Sequence, residues 1–208
     1  PGAHDVIGDR AFGTEPLRVA ALGRAVLDGL AAAGVAGVIK HMPGHGRAGA
    51  DSHKELPTVT ASDAELETDI APFRTLAGAP IAMSAHIRFT AWDAENPATQ
   101  SRFVIEEIVR KRIGFGGLLL TDDLDMEALS DTVPVRAAHA IAAGCDIALN
   151  CWAKMDDMVG IAEALPALSG EAAARFGRAL AATDPTKADI KAQGELLAKR
   201  DALLALAA

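Results

Sequence analysis

Short uninterrupted apolar runs alternate along this chain with longer stretches in which apolar residues recur every three or four positions. The runs are Val35–Ile39, Pro80–Ser84, Gly117–Leu120 and Asp146–Leu149. They show little polar alternation, the pattern of strands buried on both faces of a parallel sheet. Between them the spacing predicts amphipathic helices. Leu17–Ala33 places Val19, Leu22, Val26, Leu27 and Leu30 on one stripe, and Gly34 stands where a helix-ending glycine belongs. Ser62 and Glu65 have capping-box spacing, with Pro72 marking a kink or a new first turn further on. Ser101 is a good N-cap for a helix whose buried face is Val104, Ile105, Ile108, Val109 and Ile113. Thr132 and Pro134 open another helix, which Gly144 ends. The alanine-rich stretch from about residue 163 onward reads as terminal helices covering the sheet.

This βαβα rhythm predicts an α/β fold with a parallel sheet. In such folds chemistry collects on the loops that follow the strands. Those segments here are 40–46, 85–88, 121–125 and 150–152, and the titratable residues concentrate in them.

Composition narrows the picture further. The 208 residues are half hydrophobic and carry a net charge of −8, so no basic surface for nucleic acid is expected. No apolar run approaches the ~18–20 residues of a membrane-spanning helix. Two cysteines cannot form a disulfide framework, which points to a reducing compartment. Cys145 and Cys151 read as reduced packing residues, and Trp152 as partial core. The chain opens on Pro1 without a methionine, as a processed chain or a fragment would.

The richest stretch is KHMPGHGRAGADSHKELP, residues 40–57. His41, His45, Asp51 and His53 offer imidazole and carboxylate groups for a metal, although Pro43 and Gly44 forbid a regular helix between the first two histidines. The same residues also suit an acid/base pair. Asp51 and His53, two apart, let a carboxylate fix one ring nitrogen while the other trades protons with a substrate. A solvated loop with no chemical role is the third possibility. The second stretch is GGLLLTDDLDMEAL, residues 116–129, where three leucines run into Asp122 and Asp123. Adjacent strand residues point to opposite faces, so either one carboxylate enters a pocket while the other caps the following helix, or both serve as caps.

Taken together, KHMPGHG…DSH…LP and GGLLLTDDLDM resemble glycoside hydrolase family 3, in particular its bacterial β-N-acetylglucosaminidase branch. IGDRAFG at 7–13 and MSAHI at 83–87 match in order and spacing. The resemblance implies a (β/α)8 TIM-type barrel, present here as its C-terminal portion, with residues 1–208 forming one catalytic domain. The barrel's first strands, and an aspartate that grips the sugar, would lie upstream. It also implies retaining hydrolysis of a terminal non-reducing β-linked N-acetylglucosamine. Asp122 would be the nucleophile, His53 the acid/base and Asp51 its partner. Arg10, Lys40 and His41 would hold sugar hydroxyls, His86 and Met126 would play lesser substrate-binding roles, and His45 would shape the loop. Neither metal nor organic cofactor is implied; the implied partner is a small carbohydrate of the kind found in muropeptides recycled in the cytoplasm. The alternatives are an inactive sugar-binding relative and a metal-dependent hydrolase using the histidine-rich loop.

Overall fold

The computed structural model describes residues 7–168, 170–187 and 190–206. Strands β1 (Val38–Met42), β3 (Ile81–Ser84), β5 (Leu118–Asp123) and β6 (Ile147–Leu149) form one sheet in the order β1-β3-β5-β6, all parallel. A second parallel pair joins β2 (Thr58–Val59) to β4 (Arg88–Phe89). Its strands are two residues long, too short to leave a pattern in the sequence. The helices are α1 (Pro16–Ala32), α2 (Asp63–Thr75), a π-helix (Val104–Arg112), α3 (Val133–Ala143), α4 (Met155–Ala164), α5 (Gly170–Ala181) and α6 (Ile190–Ala205).

The local signals act largely as their chemistry dictates. Ser62 and Glu65 complete the capping box of α2, and Pro72 is accommodated inside that helix. The Ser101 hydroxyl accepts the Val104 amide, and all five apolar residues of the following face are buried. That helix winds with π-type hydrogen bonds, which apolar spacing does not distinguish from α. Gly144 ends α3 in the left-handed region at φ 117°.

Three expectations need correction. The first strand starts at Val38 rather than Val35. Gly34, at φ 76°, donates to Ala31 O, and Val35 donates to Leu30 O at 2.9 Å, so the α1 cap consumes Val35. The α1 stripe is only partly covered: Leu27 is buried, Val19 and Leu30 are half-buried, and Leu22 and Val26 are exposed. Helix α6 does not cover the sheet; its described side chains, including Leu196, Leu197, Leu203 and Leu204, face solvent.

The main core fills the space between the sheet and its helices, with Leu66, Ile70, Ile105, Ile108, Phe115 and Leu119 buried in it. A smaller cluster gathers Leu124, Leu129 and Ala137. Beneath β5 and β6 lies a buried ion network. Asp146, with 3% of its side chain exposed, accepts Arg110 at 2.8 Å, Arg175 at 2.9 Å and the Leu119 amide at 2.8 Å. Arg110 also donates to Phe115 O and Gly117 O. The Asp146→Ala substitution would strand two mostly buried guanidinium groups and is expected to cost about 3–5 kcal/mol, measured as the shift in the urea unfolding midpoint.

Candidate functional site

Two of the three pairings in the main sheet slip by one residue near their C-terminal ends, while β3 and β5 stay in register. From Ile39 to Met42 β1 advances three residues while β3 advances two, from Ala82 to Ser84. From Leu120 to Asp123 β5 advances three while β6 advances two. Such bulges re-aim side chains, and they lie at Lys40–His41 and at Thr121–Asp122. Lys40 and His41 are therefore strand residues, not loop residues, and β5 runs on through Asp122 and Asp123.

The two bulges bring His41 Nε2 to 3.6 Å from Asp122 Oδ2, with side chains 12% and 16% exposed. That separation is beyond a formed hydrogen bond. Burial pushes the His41 pKa down to about 4; Asp122 opposes this, while Lys40, His45 and Arg10 add to it. His41 is thus neutral at pH 7. His45, whose ring meets that of His41 edge-on at 5.4 Å, is also lowered, chiefly by burial. The other Asp122 oxygen, Oδ1, accepts the amide of Asp123 at 2.9 Å.

The Asp123 carboxylate has partners of its own and caps no helix. Its Oδ1 accepts the amides of Asp125 and Cys151, holding a turn and the loop after β6. Asp125 Oδ2 takes Asn150 Nδ2 at 2.7 Å and the Trp152 amide at 2.9 Å. Trp152 is 63% exposed rather than partial core, with Lys154 Nζ 4.6 Å above its ring. Asp125 and Asn150 escaped the sequence reading, although the D-D-x-D spacing was there to suggest a shared turn.

The loop after β1 closes on itself at Asp51. Asp51 Oδ1 accepts His53 Nδ1 at 2.8 Å and the His53 amide at 3.0 Å. These two bonds hold the Asp51 carboxyl below its ordinary value, the backbone bond contributing most. With Nδ1 so engaged, the ring of His53 has its Nε2 left for proton transfer, and the side chain is 63% exposed. The Glu127 amide donates to His53 O, tying this loop to the turn after Asp123.

His86 is 1% exposed, and both its nitrogens are taken by the protein. The Asp123 carbonyl, 3.0 Å from Nε2, can only accept, so a neutral ring carries its proton there. Nδ1 lies 2.8 Å from the Thr99 hydroxyl, whose proton is shared between that nitrogen and Ala85 O at 3.0 Å and whose oxygen is 2.7 Å from Ser84 Oγ. Burial lowers the His86 pKa and favours this neutral form. No ring nitrogen remains for a sugar hydroxyl. Met126, 6% exposed, lies in the turn after β5, where Arg136 holds its carbonyl.

Arg10, Lys40, His41 and His45 share a cleft of about 600 Å³, whose apolar wall comes from α1 through Val19, Val26, Leu27 and Leu30. Asp51, His53, Asp122 and Met126 do not line it. Among the described residues, no three His, Cys, Asp or Glu side chains converge as a metal would require. No described helix is long and apolar enough to cross a membrane.

A parallel sheet whose strand ends carry carboxylates and histidines, backed by helices, defines a domain of the α/β-barrel class, of which the four main strands form part. Residues 2–181 match the Glycosyl hydrolase family 3 N terminal domain, and the chain belongs to that family. It is 46% identical over 155 residues to a beta-hexosaminidase of Aromatoleum aromaticum, covering 72% of this chain and 43% of the relative. To a beta-hexosaminidase of Bordetella pertussis it is 42% identical over 161 residues, covering 75% and 46%. NagZ from Neisseria gonorrhoeae, solved with N-trifluoroacetyl-D-glucosamine, superposes with a TM-score of 0.79 at 34% identity. That match covers 90% of this chain and 55% of NagZ. A family 3 beta-N-acetylglucosaminidase from Paenibacillus gives 0.77 at 38% identity, covering 88% and 37%. The chain thus spans less than half the length of the curated relatives it matches.

The buried neutral histidines carry a pH dependence. An unfolded chain protonates them near 6.5, whereas folded His41 resists until about 4. Between these values the unfolded state binds more protons, so stability contributed by neutral His41 is complete above 6.5 and lost as pH falls toward 4. Thermal unfolding from pH 7 to 4 is expected to show a shallower loss in His41→Gln than in the unsubstituted protein.

Proposed function

We propose that this chain is a single catalytic domain of a retaining glycosidase that removes terminal non-reducing β-linked N-acetylglucosamine. The observation that carries the reading is the Asp51–His53 pair, a 2.8 Å contact that fixes one imidazole nitrogen beside the strand-end carboxylate region. The relatives named beta-hexosaminidase and the neighbour solved with a glucosamine derivative support the substrate class.

In the first step the Asp122 carboxylate attacks the anomeric carbon. Protonated His53 gives the Nε2 proton to the departing glycosidic oxygen, and a glycosyl-enzyme ester forms. In the second step neutral His53 takes a proton from water, the water oxygen attacks the same carbon, and Asp122 leaves as carboxylate. Two inversions retain the β configuration. Asp51 compensates the charge of the imidazolium present before the first step and regenerated in the second, and holds the ring's tautomer in between. Arg10, Lys40 and His41 bind sugar hydroxyls. Neutral His41 beside Asp122 donates without placing a full positive charge on the nucleophile. The natural substrate is a muropeptide fragment recycled in the cytoplasm, and no metal takes part.

A chromogenic N-acetyl-β-glucosaminide tests this on the full chain. Asp122→Ala is expected to abolish turnover, and His53→Ala to lower it by about 10²–10⁴-fold, the usual worth of a general acid/base. An inert unsubstituted protein, or an unimpaired Asp122→Ala variant, would overturn the reading. Loss of activity with a chelator and recovery with zinc would favour a metal-dependent hydrolase instead.

A further inference from the structure

We propose that Asp123 is a positioning residue, which orients the Asp122 carboxylate by tying the peptide between them to two neighbouring strand ends. The inference rests on Asp122 being the nucleophile.

Asp122 sits in a bulge, where the regular ladder between β5 and β6 is interrupted, so strand pairing alone does not fix its direction. What holds its carboxylate is the Asp123 amide, donating to Oδ1 at 2.9 Å. The direction of that amide depends on how Asp123 itself is held, and it is held from several sides. Its carboxylate accepts the Cys151 amide from the loop after β6 at 2.9 Å and the Asp125 amide from its own turn at 3.2 Å. Its carbonyl accepts His86 Nε2–H from beyond β3 at 3.0 Å and the Met126 amide at 3.2 Å. His86 in turn is fixed by the buried Thr99 and Ser84 hydroxyls. The peptide that aims the nucleophile is therefore clamped between the ends of β3 and β6. Removing the Asp123 carboxylate releases the β6 side of the clamp and leaves the His86 side intact.

Geometry of this kind acts on the reacting atoms more than on sugar binding, because a displacement of about 1 Å can cost on the order of 10²-fold in rate. Asp123→Ala in the full chain, assayed with the chromogenic N-acetyl-β-glucosaminide, is expected to lower kcat by about 10–100-fold with KM changed far less. Asp123→Asn keeps an oxygen able to accept both amides and is expected to recover most of kcat. Should the alanine variant not fold, Asp123→Ser, whose shorter side chain cannot reach both amides, is expected to show the same loss.

The controls separate the two readings. An active Asp122→Ala variant means the nucleophile assignment has failed. An inert Asp122→Ala variant beside an unimpaired Asp123→Ala means the positioning role has failed. Equal damage in Asp123→Asn and Asp123→Ala also overturns positioning, because it points to a requirement for the charge itself.

Discussion

The carboxylate of Asp146 is the point on which the geometry of the sheet depends. It is almost fully buried, yet it joins four elements: the π-helix through Arg110, α5 through Arg175, the start of β5 through the Leu119 amide, and its own position at the start of β6. Arg110 also gathers the carbonyls just before β5, including those of Phe115 and Gly117. A buried charge is tolerated only when it is paired on every side, so these partners must arrive together. Once they do, the beginning of β5 is fixed relative to β6. A strand fixed at its start delivers a given residue to a given place at its end, and for β5 that residue is Asp122.

The far end of the sheet solves a different problem. Parallel strands buried on both faces have room for polar side chains chiefly where they emerge, and here the emergence is accompanied by a register slip on β1 and another on β5. The slips turn His41 and Asp122 toward each other without forming a hydrogen bond. Burial keeps His41 neutral, so this neighbour presents no cation to the Asp122 carboxylate. That carboxylate accepts a hydrogen bond at 2.9 Å from the Asp123 amide, a dipole held by backbone geometry. A fixed dipole can stabilise an anion without giving up a proton to it.

Much of this was readable from residue patterns, and the limits are physical. Ser62 with Glu65, Gly34, Ser101 and Gly144 act locally, so their effect on helix ends is written in a few adjacent residues. The buried face 104–113 was equally plain, but its π winding was not, because apolar spacing over nine residues fits either helix. Val35 was misplaced because its apolar side chain suggests a strand while its amide is needed by the cap of α1. The exposed faces of α1 and α6 were misjudged for a related reason: amphipathicity says which face would be buried, not what is present to bury it. At the candidate site, Asp122 and Asp123 take different partners, although the bulge between them and β6 interrupts strict alternation. The bulges, and the pairing of Asp125 with Asn150 across 25 residues, depend on how strands register and left no local mark.

Asp122 and His53 differ in how far they are enclosed. Asp122 lies in a mostly enclosed position, while the ring of His53 is largely exposed on a loop held by Asp51 and by the Glu127 amide. A nucleophile benefits from a rigid strand, since its oxygen must meet one carbon along one line. A group that first gives a proton to a leaving group and then takes one from water benefits from access to both. Under the proposed assignment, one role on a strand end and the other on a braced loop would satisfy these opposite demands. A bond from the Glu127 amide to His53 O links the loop to the turn beyond Asp123, which would keep the two proposed roles in register although they belong to different elements.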